Sequence, residues 1–400
     1  MSEAAVERRP AWGQVVAVLA VIVALAAYIH VTIAPRKALL FLVGILLGVV
    51  LTHAAFGFTA QWRRFLVHGE GRGIRAQMVM LAVGSLLVMP AIANGRLFGH
   101  AVSGAYAPAG VSVAVGAFMF GLAMQLANGC ASGTLYALGG GSTRMMIVFP
   151  FFLVGSLWGS ADLPWWFGTP SLGTISLLHK LGLWPALLMQ LSIFAGLFML
   201  AGRVERLARA AGHLPPSASS PPAGGRRHRM RIITGPWGWM AGGVLLAVLN
   251  FAVLAVAGHT WSIAFGYTLW GAKVARTLGL DFVFDTPFWN WPYPKQALAG
   301  HWLAEDTSLT NLGIILGAAL ATTLAGGFRG FQRISWRAAM GAAIGGLLMG
   351  YGARIAFGCN VGAYFSGIVS GSLHGWQWLV FGLMGTALGI RLRPLFDLRN

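Results

Sequence analysis

Gly121-Leu-Ala-Met-Gln-Leu-Ala-Asn-Gly129-Cys130-Ala-Ser-Gly133 and Gly350-Tyr-Gly-Ala-Arg-Ile-Ala-Phe-Gly358-Cys359-Asn-Val-Gly362 are two copies of one motif. They hold both of the cysteines in this 400-residue chain. Glycines fall at the same three offsets around each thiol, Ala127 matches Ala356, and Gly116 matches Gly345 further upstream. In each copy an apolar helix runs into Gly-Cys. Gly129 and Gly358 are free to take backbone angles that other residues avoid, so the helix is expected to break there. A second, short helix is expected to begin at Ala131-Ser132-Gly133 and at Asn360-Val361-Gly362.

The surroundings are membrane. Apolar residues make up 57% of the chain and charged residues 10%, too few charges to cover a soluble protein of this length. A span needs about 20 apolar residues. Long apolar runs recur near 13–34, 39–60, 76–94, 144–160, 182–202, 234–257, 309–326, 338–357 and 375–391, with shorter ones near 110–128, 131–142, 263–280 and 360–372. The reading is an all-α polytopic membrane protein with about nine transmembrane helices plus several half-membrane helices. The first run follows Arg8 and Arg9 but exceeds a signal peptide's apolar stretch, so it is read as a retained signal-anchor.

The net charge of +18 is distributed against a nucleic-acid role. Arg63, Arg64, Arg72 and Arg75 share one loop; Arg203, Arg206, Arg209, Arg226, Arg227, Arg229 and Arg231 share another; Arg329, Arg333 and Arg337 a third; and Arg391, Arg393 and Arg399 the C-terminus. This is the positive-inside pattern. It predicts that the central linker and the C-terminus are cytoplasmic, with membrane lipid headgroups as the partner of the loop arginines. Two repeat-equivalent thiols do not suggest a disulfide framework. No phosphate loop, dinucleotide fingerprint or metal-spaced cluster appears, so neither a cofactor, nor a metal, nor an enzymatic reaction is expected.

Residues 203–233, rich in Pro, Ser, Gly and Arg, read as a flexible linker between an N-terminal half, 1–202, and a C-terminal half, 234–400. Val43-Gly44-Ile-Leu-Leu-Gly48 resembles Leu312-Gly313-Ile-Ile-Leu-Gly317. The span near 76–94 then has no partner, and this extra span leaves open whether the cysteine motifs are inverted between the two pseudo-symmetric halves. Most other glycines, such as Gly155/Gly159 and Gly385/Gly389, fall in spacings that let helices approach closely in lipid.

Irregular backbone at membrane depth survives only inside protein or beside a cavity. A half-helix N-terminus there offers N–H groups and partial positive charge to an anion. Ser132 and Asn360 add donors. A neutral thiol is a weak donor and a soft contact, suited to the sulfur end of a small sulfur-containing anion. The expected solute path is therefore lined by Cys130, Cys359, Gly129, Gly358, Ser132, Asn360, Gly133 and Gly362. Arg354, five residues before Cys359 where the first copy has Gln125, is expected to raise anion occupancy beside it.

At these residues the chain resembles the YeeE/YedE family of bacterial inner-membrane proteins, also called the sulfur-transport family. The resemblance is strongest over Gly116–Ser142 and from Gly341 through Ser366-Gly-Ile-Val-Ser-Gly-Ser-Leu-His374-Gly375-Trp376 to Gly389. It implies uptake of thiosulfate or a related reduced-sulfur species along a central path lined by cysteines, helices inserted part-way across the membrane, and a small cytoplasmic sulfur-carrier protein as partner. Many thiosulfate-transporting members carry a third path cysteine near the end of an early span. Here that stretch is His53-Ala-Ala-Phe56-Gly57-Phe58-Thr59, with Gly57 at the expected thiol position. A second function class is a membrane sulfur-handling or thiol-redox subunit doing persulfide or disulfide exchange, which needs a lowered thiol pKa and an accessible thiol.

Overall fold

The structure is a computed structural model that describes residues 10–214, 233–328 and 330–399. Its helices are α1 (Trp12–Thr32), α2 (Pro35–His53), α3 (Phe58–His68), α4 (Arg72–Asn94), α5 (Val111–Ala127), α6 (Ala131–Gly139), α7 (Thr143–Phe167), α8 (Leu177–Leu181) and α9 (Leu183–Ala210). They continue with α10 (Trp239–Ala257), α11 (Ala264–Thr277), α12 (Pro292–Ala299), α13 (Asp306–Leu324) and α14 (Trp336–Ile355). A π turn (Asn360–Phe365), α15 (Ser366–Val369) and α16 (Leu373–Leu392) complete the order. Among the described residues 10 segments are long and apolar enough to cross a membrane, so the chain is an all-α multi-pass membrane protein. The first residues of the expected linker, 203–210, continue α9. Residues 215–232 of that linker, with Arg226, Arg227, Arg229 and Arg231, lie outside the described residues.

Three of the crossing segments are interrupted, after α2, α5 and α14. A fourth break follows α10. Each break holds a residue in the left-handed region: Ala55 (φ 44°), Asn128 (φ 62°), Phe357 (φ 57°) and Gly258 (φ 83°). That conformation stops the i→i−4 hydrogen-bond ladder and turns the chain before the next helix begins.

The helices pair as an inverted repeat. α5 and α14 cross antiparallel, because Gly116 faces Gly352 and Ala356 while Gly345 faces Ala123 and Ala127. Each then takes the other's neighbour: α7 packs on α14, and α16 packs on α5. The reciprocity holds residue by residue. A Cβ on Gly155 would overlap the Leu347 carbonyl, and a Cβ on Gly385 would overlap the Phe118 carbonyl; Leu347 and Phe118 each lie twelve residues before their cysteine. Likewise α4 packs on α10 as α13 packs on α2, and α9 flanks α4 as α1 flanks α13. The repeat is thus α2–α7 against α10, α11, α13, α14, the π turn with α15, and α16.

This pairing corrects one expectation. The glycine blocks Gly44/Gly48 and Gly313/Gly317 are not equivalent positions of a duplication. Gly44 lies against Thr310 and Gly313, and Gly48 against Ile314 and Ala318, so α2 and α13 run in the same direction as packing partners. Two helices that close on each other both need small residues at the contact, and that shared need produced the resemblance. The span near 76–94, α4, does have a counterpart, and it is α13.

One register difference separates the copies. Cys130 and Cys359 differ by 229 positions, whereas the matched glycines Gly155 and Gly385 differ by 230. The second copy carries one extra residue after its cysteine. The π turn Asn360–Phe365 absorbs it, since a π turn is an α turn widened by one residue.

Candidate functional site

Cys130 and Cys359 occupy the same place in their copies. Each is the extended residue preceding a half-helix: Cys130 at φ −93°, ψ −172° before α6, and Cys359 at φ −100°, ψ −164° before the π turn. The backbone N–H groups of Ser132 and Gly133 lie against Sγ of Cys130, and those of Val361 and Gly362 against Sγ of Cys359. These are orphan donors of a helix first turn, which has no intrahelical partner for them. The expected break after each long helix is therefore present. At the first, however, the left-handed residue is Asn128, with Gly129 following; at the second it is Phe357 followed by Gly358 at φ 152°.

The two thiols lie within electrostatic range of each other and of the Tyr267 hydroxyl. Tyr267 on α11 donates to Ala131 O at 2.9 Å, and Ser366 donates to Trp261 O at 2.7 Å. The Gly362 backbone faces the Ser262 side chain, and the Gly57 backbone faces the Tyr136 hydroxyl. Phe58 on α3 meets Tyr364 edge to face at 5.9 Å. All four half-elements that follow breaks (α3, α6, α11 and the π turn with α15) thus meet at the centre of the fold. Gly57 precedes α3 just as the cysteines precede α6 and the π turn, so the position that the resemblance reserves for a third thiol sits in the same kind of place.

Both thiols are 1% exposed, and the protein is closed around them. Ser132 Oγ lies 3.4 Å from Sγ of Cys130. Asn360 is 0% exposed, and neither its amide nitrogen nor its amide oxygen has a hydrogen-bond partner. A buried amide normally satisfies both groups, so Asn360 presents an open donor and an open acceptor next to Cys359. Gly133 leaves no side chain between α6 and the first thiol: a Cβ there would stand 3.5 Å from Sγ.

Arg354 sits near the far end of α14, its guanidinium over the rings of Phe288 at 5.5 Å and Phe265 at 5.9 Å. Its Nε and Nη1 are sealed from solvent without a hydrogen-bond partner. Sequence reading missed a second group of cations. Arg63 and Arg393, which it assigned to a loop and to the C-terminus, meet at Asn128, two residues before Cys130, and Arg144, which it did not single out, stands within electrostatic range of Arg393. The one available signal was the position of Arg393 at the end of the last apolar run. Two cavities of ≈ 470 and ≈ 490 Å³ open on the same arginine-rich face, around Arg75 and Glu205 and around Arg64 and Trp237. Lys273 is structural: it donates to the Leu298 and Gly300 carbonyls at the end of α12.

Inverted repeats with broken helices meeting at the centre are a membrane-transporter architecture, and the chain belongs to the sulphur transport family, which matches residues 53–388. Over 359 residues it is 26% identical to the thiosulfate transporter TsuA of Spirochaeta thermophila, covering 86% of this chain and 95% of that protein. It is 27% identical over 354 residues to the thiosulfate transporter TsuA of Escherichia coli, covering 86% and 90%. The probable transporter YedE of Escherichia coli is 29% identical over 163 residues, 40% of this chain and 39% of that protein.

Proposed function

We propose that this protein carries a small sulfur-containing anion of the thiosulfate type across the bacterial inner membrane, along a path that passes Cys130 and Cys359. The observation that carries the reading is the pairing of two buried thiols, each backed by the first-turn N–H groups of a half-helix, at the interface of two inverted halves. The N–H groups and the open Asn360 amide suit the oxygens of the anion, and the polarizable thiols suit its terminal sulfur. Each contact is weak, which lets a conducted solute leave again. Arg354 attracts the anion on one side, and Gly129, Gly358, Gly133 and Gly362 keep the backbone close to it. The names of two relatives, both thiosulfate transporters covered nearly end to end, support the substrate. The arginine-rich face is read as cytoplasmic, with anionic lipid around it and a small sulfur-carrier protein receiving the solute there.

Uptake of labelled thiosulfate by cells lacking other sulfur importers tests this. Wild type is expected to import it, Cys130→Ala and Cys359→Ala to lose most uptake, and Cys130→Ser and Cys359→Ser to retain part. Normal uptake by both folded alanine variants defeats the thiol-lined path. Complete loss in both serine variants, with thiol exchange detected in wild type, favours persulfide or disulfide chemistry instead; the sealed thiols weigh against that outcome.

A further inference from the structure

We infer that Arg63, Arg144 and Arg393 form an anion-binding station on the arginine-rich side of Cys130, the counterpart of Arg354 on the opposite side of Cys359. The inference rests on the transport reading above and adds a second charged stop to it. Arg354 occupies the position in α14 that Gln125 occupies in α5, five residues before the cysteine. In the first half the cation is supplied by neighbours. Arg63 from α3 donates to Asn128 Oδ1 at 3.1 Å and approaches Gln125 Oε1 at 3.4 Å. Arg393 after α16 donates to Asn128 Oδ1 at 3.1 Å and to Gln125 O at 2.8 Å. Arg144, at the start of α7, donates to Ala338 O at 3.3 Å and stands within electrostatic range of Arg393. Both mouths of the central region therefore carry guanidinium groups at the same level of the repeat, from different elements.

Capping the C-terminal carbonyls of α5 needs one cation, and Arg393 already provides it. The other two are unexplained by that role. On the same face Arg72, Arg75 and Arg209 also converge, but around the buried carboxylate of Glu205. No described carboxylate pairs with Arg63, Arg144 or Arg393, and the charges that face Arg393 are the other two arginines. Arg393 is 2% exposed, and its Nε has no hydrogen-bond partner. Like charges gathered without a counter-ion repel one another, and a divalent oxyanion relieves that repulsion while filling the open donor. A solute that has passed Cys130 meets this trio next, so the station holds it before release.

Sodium thiosulfate and sodium sulfate are the probes, added to the detergent-purified full-length protein against sodium chloride of equal ionic strength while the melting temperature is followed. Wild type is expected to melt higher with the divalent anions. Arg63→Gln/Arg144→Gln is expected to need about tenfold more anion for the same shift, as for the loss of a charge-assisted hydrogen bond. Should the double variant fail to fold, Arg63→Gln alone is expected to move in the same direction. A wild-type response that both variants share overturns the station, as does no response at all. So does an arginine-dependent shift produced by phosphatidylglycerol and not by soluble anions, which would make this a lipid site. Intact anion binding without any thiosulfate uptake in cells would sink the transport reading and leave the station; normal uptake without the arginine-dependent shift would do the reverse.

Discussion

Replacing Asn360 with leucine separates a structural role of this residue from a solute-binding one. The side chain is fully buried, and its amide N and O both lack partners. Leaving one buried polar group unpaired costs about 1–3 kcal/mol, whereas leucine, with the same branched heavy-atom skeleton, leaves nothing unpaired. With two open groups, the lower end of that range predicts that Asn360→Leu stabilises the solute-free protein by roughly 2 kcal/mol. Unfolding entropy of about 2.1 cal/mol/K per residue converts this into a melting temperature about 2–3 °C higher. The same substitution removes a donor and an acceptor from beside Cys359, so thiosulfate uptake should fall by at least tenfold, the worth of one good hydrogen bond to an anion. Thermal scans of purified protein by tryptophan fluorescence and uptake in cells give the two readouts. A variant that melts below wild type would mean that the amide is already satisfied in the resting protein. Unchanged uptake would remove Asn360 from the path.

The inverted repeat predicts paired effects: Gly155→Ala and Gly385→Ala should each lower the melting temperature, by a similar amount corresponding to about 1–3 kcal/mol of overpacking. Gly196→Ala, where an added Cβ meets nothing within 4 Å, should not lower it and, by helix propensity, should raise it slightly. Outside the spans, burial opposes the charge of His259, but its contact with Asp306 at 3.4 Å and the nearby Glu305 carboxylate raise its pKa above the usual 6.5 on balance. Its stabilising contribution is then complete below the unfolded-state pKa of about 6.5 and fades as pH rises through the higher folded value. The difference in melting temperature between wild type and His259→Gln should therefore be largest below the unfolded-state pKa of about 6.5 and shrink as pH rises above it, and a difference independent of pH would remove this histidine's charge from the account.

Much of this arrangement could be read before any coordinates. The Gly-Cys steps at Cys130 and Cys359 announced interrupted helices because glycine and a following polar residue cannot continue an apolar span. The apolar runs announced the membrane. What misled was the pair Gly44/Gly48 and Gly313/Gly317. A small-residue spacing reports that a helix is closely approached and does not identify by what, so mutual contact looked like common descent. The arginine trio near the end of α5 was invisible for a related reason: Arg63, Arg144 and Arg393 lie far apart in sequence and approach only where α3, the start of α7 and the chain after α16 gather around that end. The unpaired amide of Asn360 also needed the fold, since its openness depends on what the π turn carries away from it.

That π turn has a consequence for direction. Two lobes of identical length, facing opposite ways, would greet a passing ion with mirror-like walls, and the journey inward would feel the same as the journey outward. A single additional residue after Cys359 spoils that equality by swinging the groups that follow it through part of a rotation. The lobe bearing Cys130 keeps a regular coil. The molecule therefore has a grain: an ion meeting the Cys359 side first encounters a differently shaped threshold from one meeting Cys130 first, although both doorsteps descend from the same blueprint.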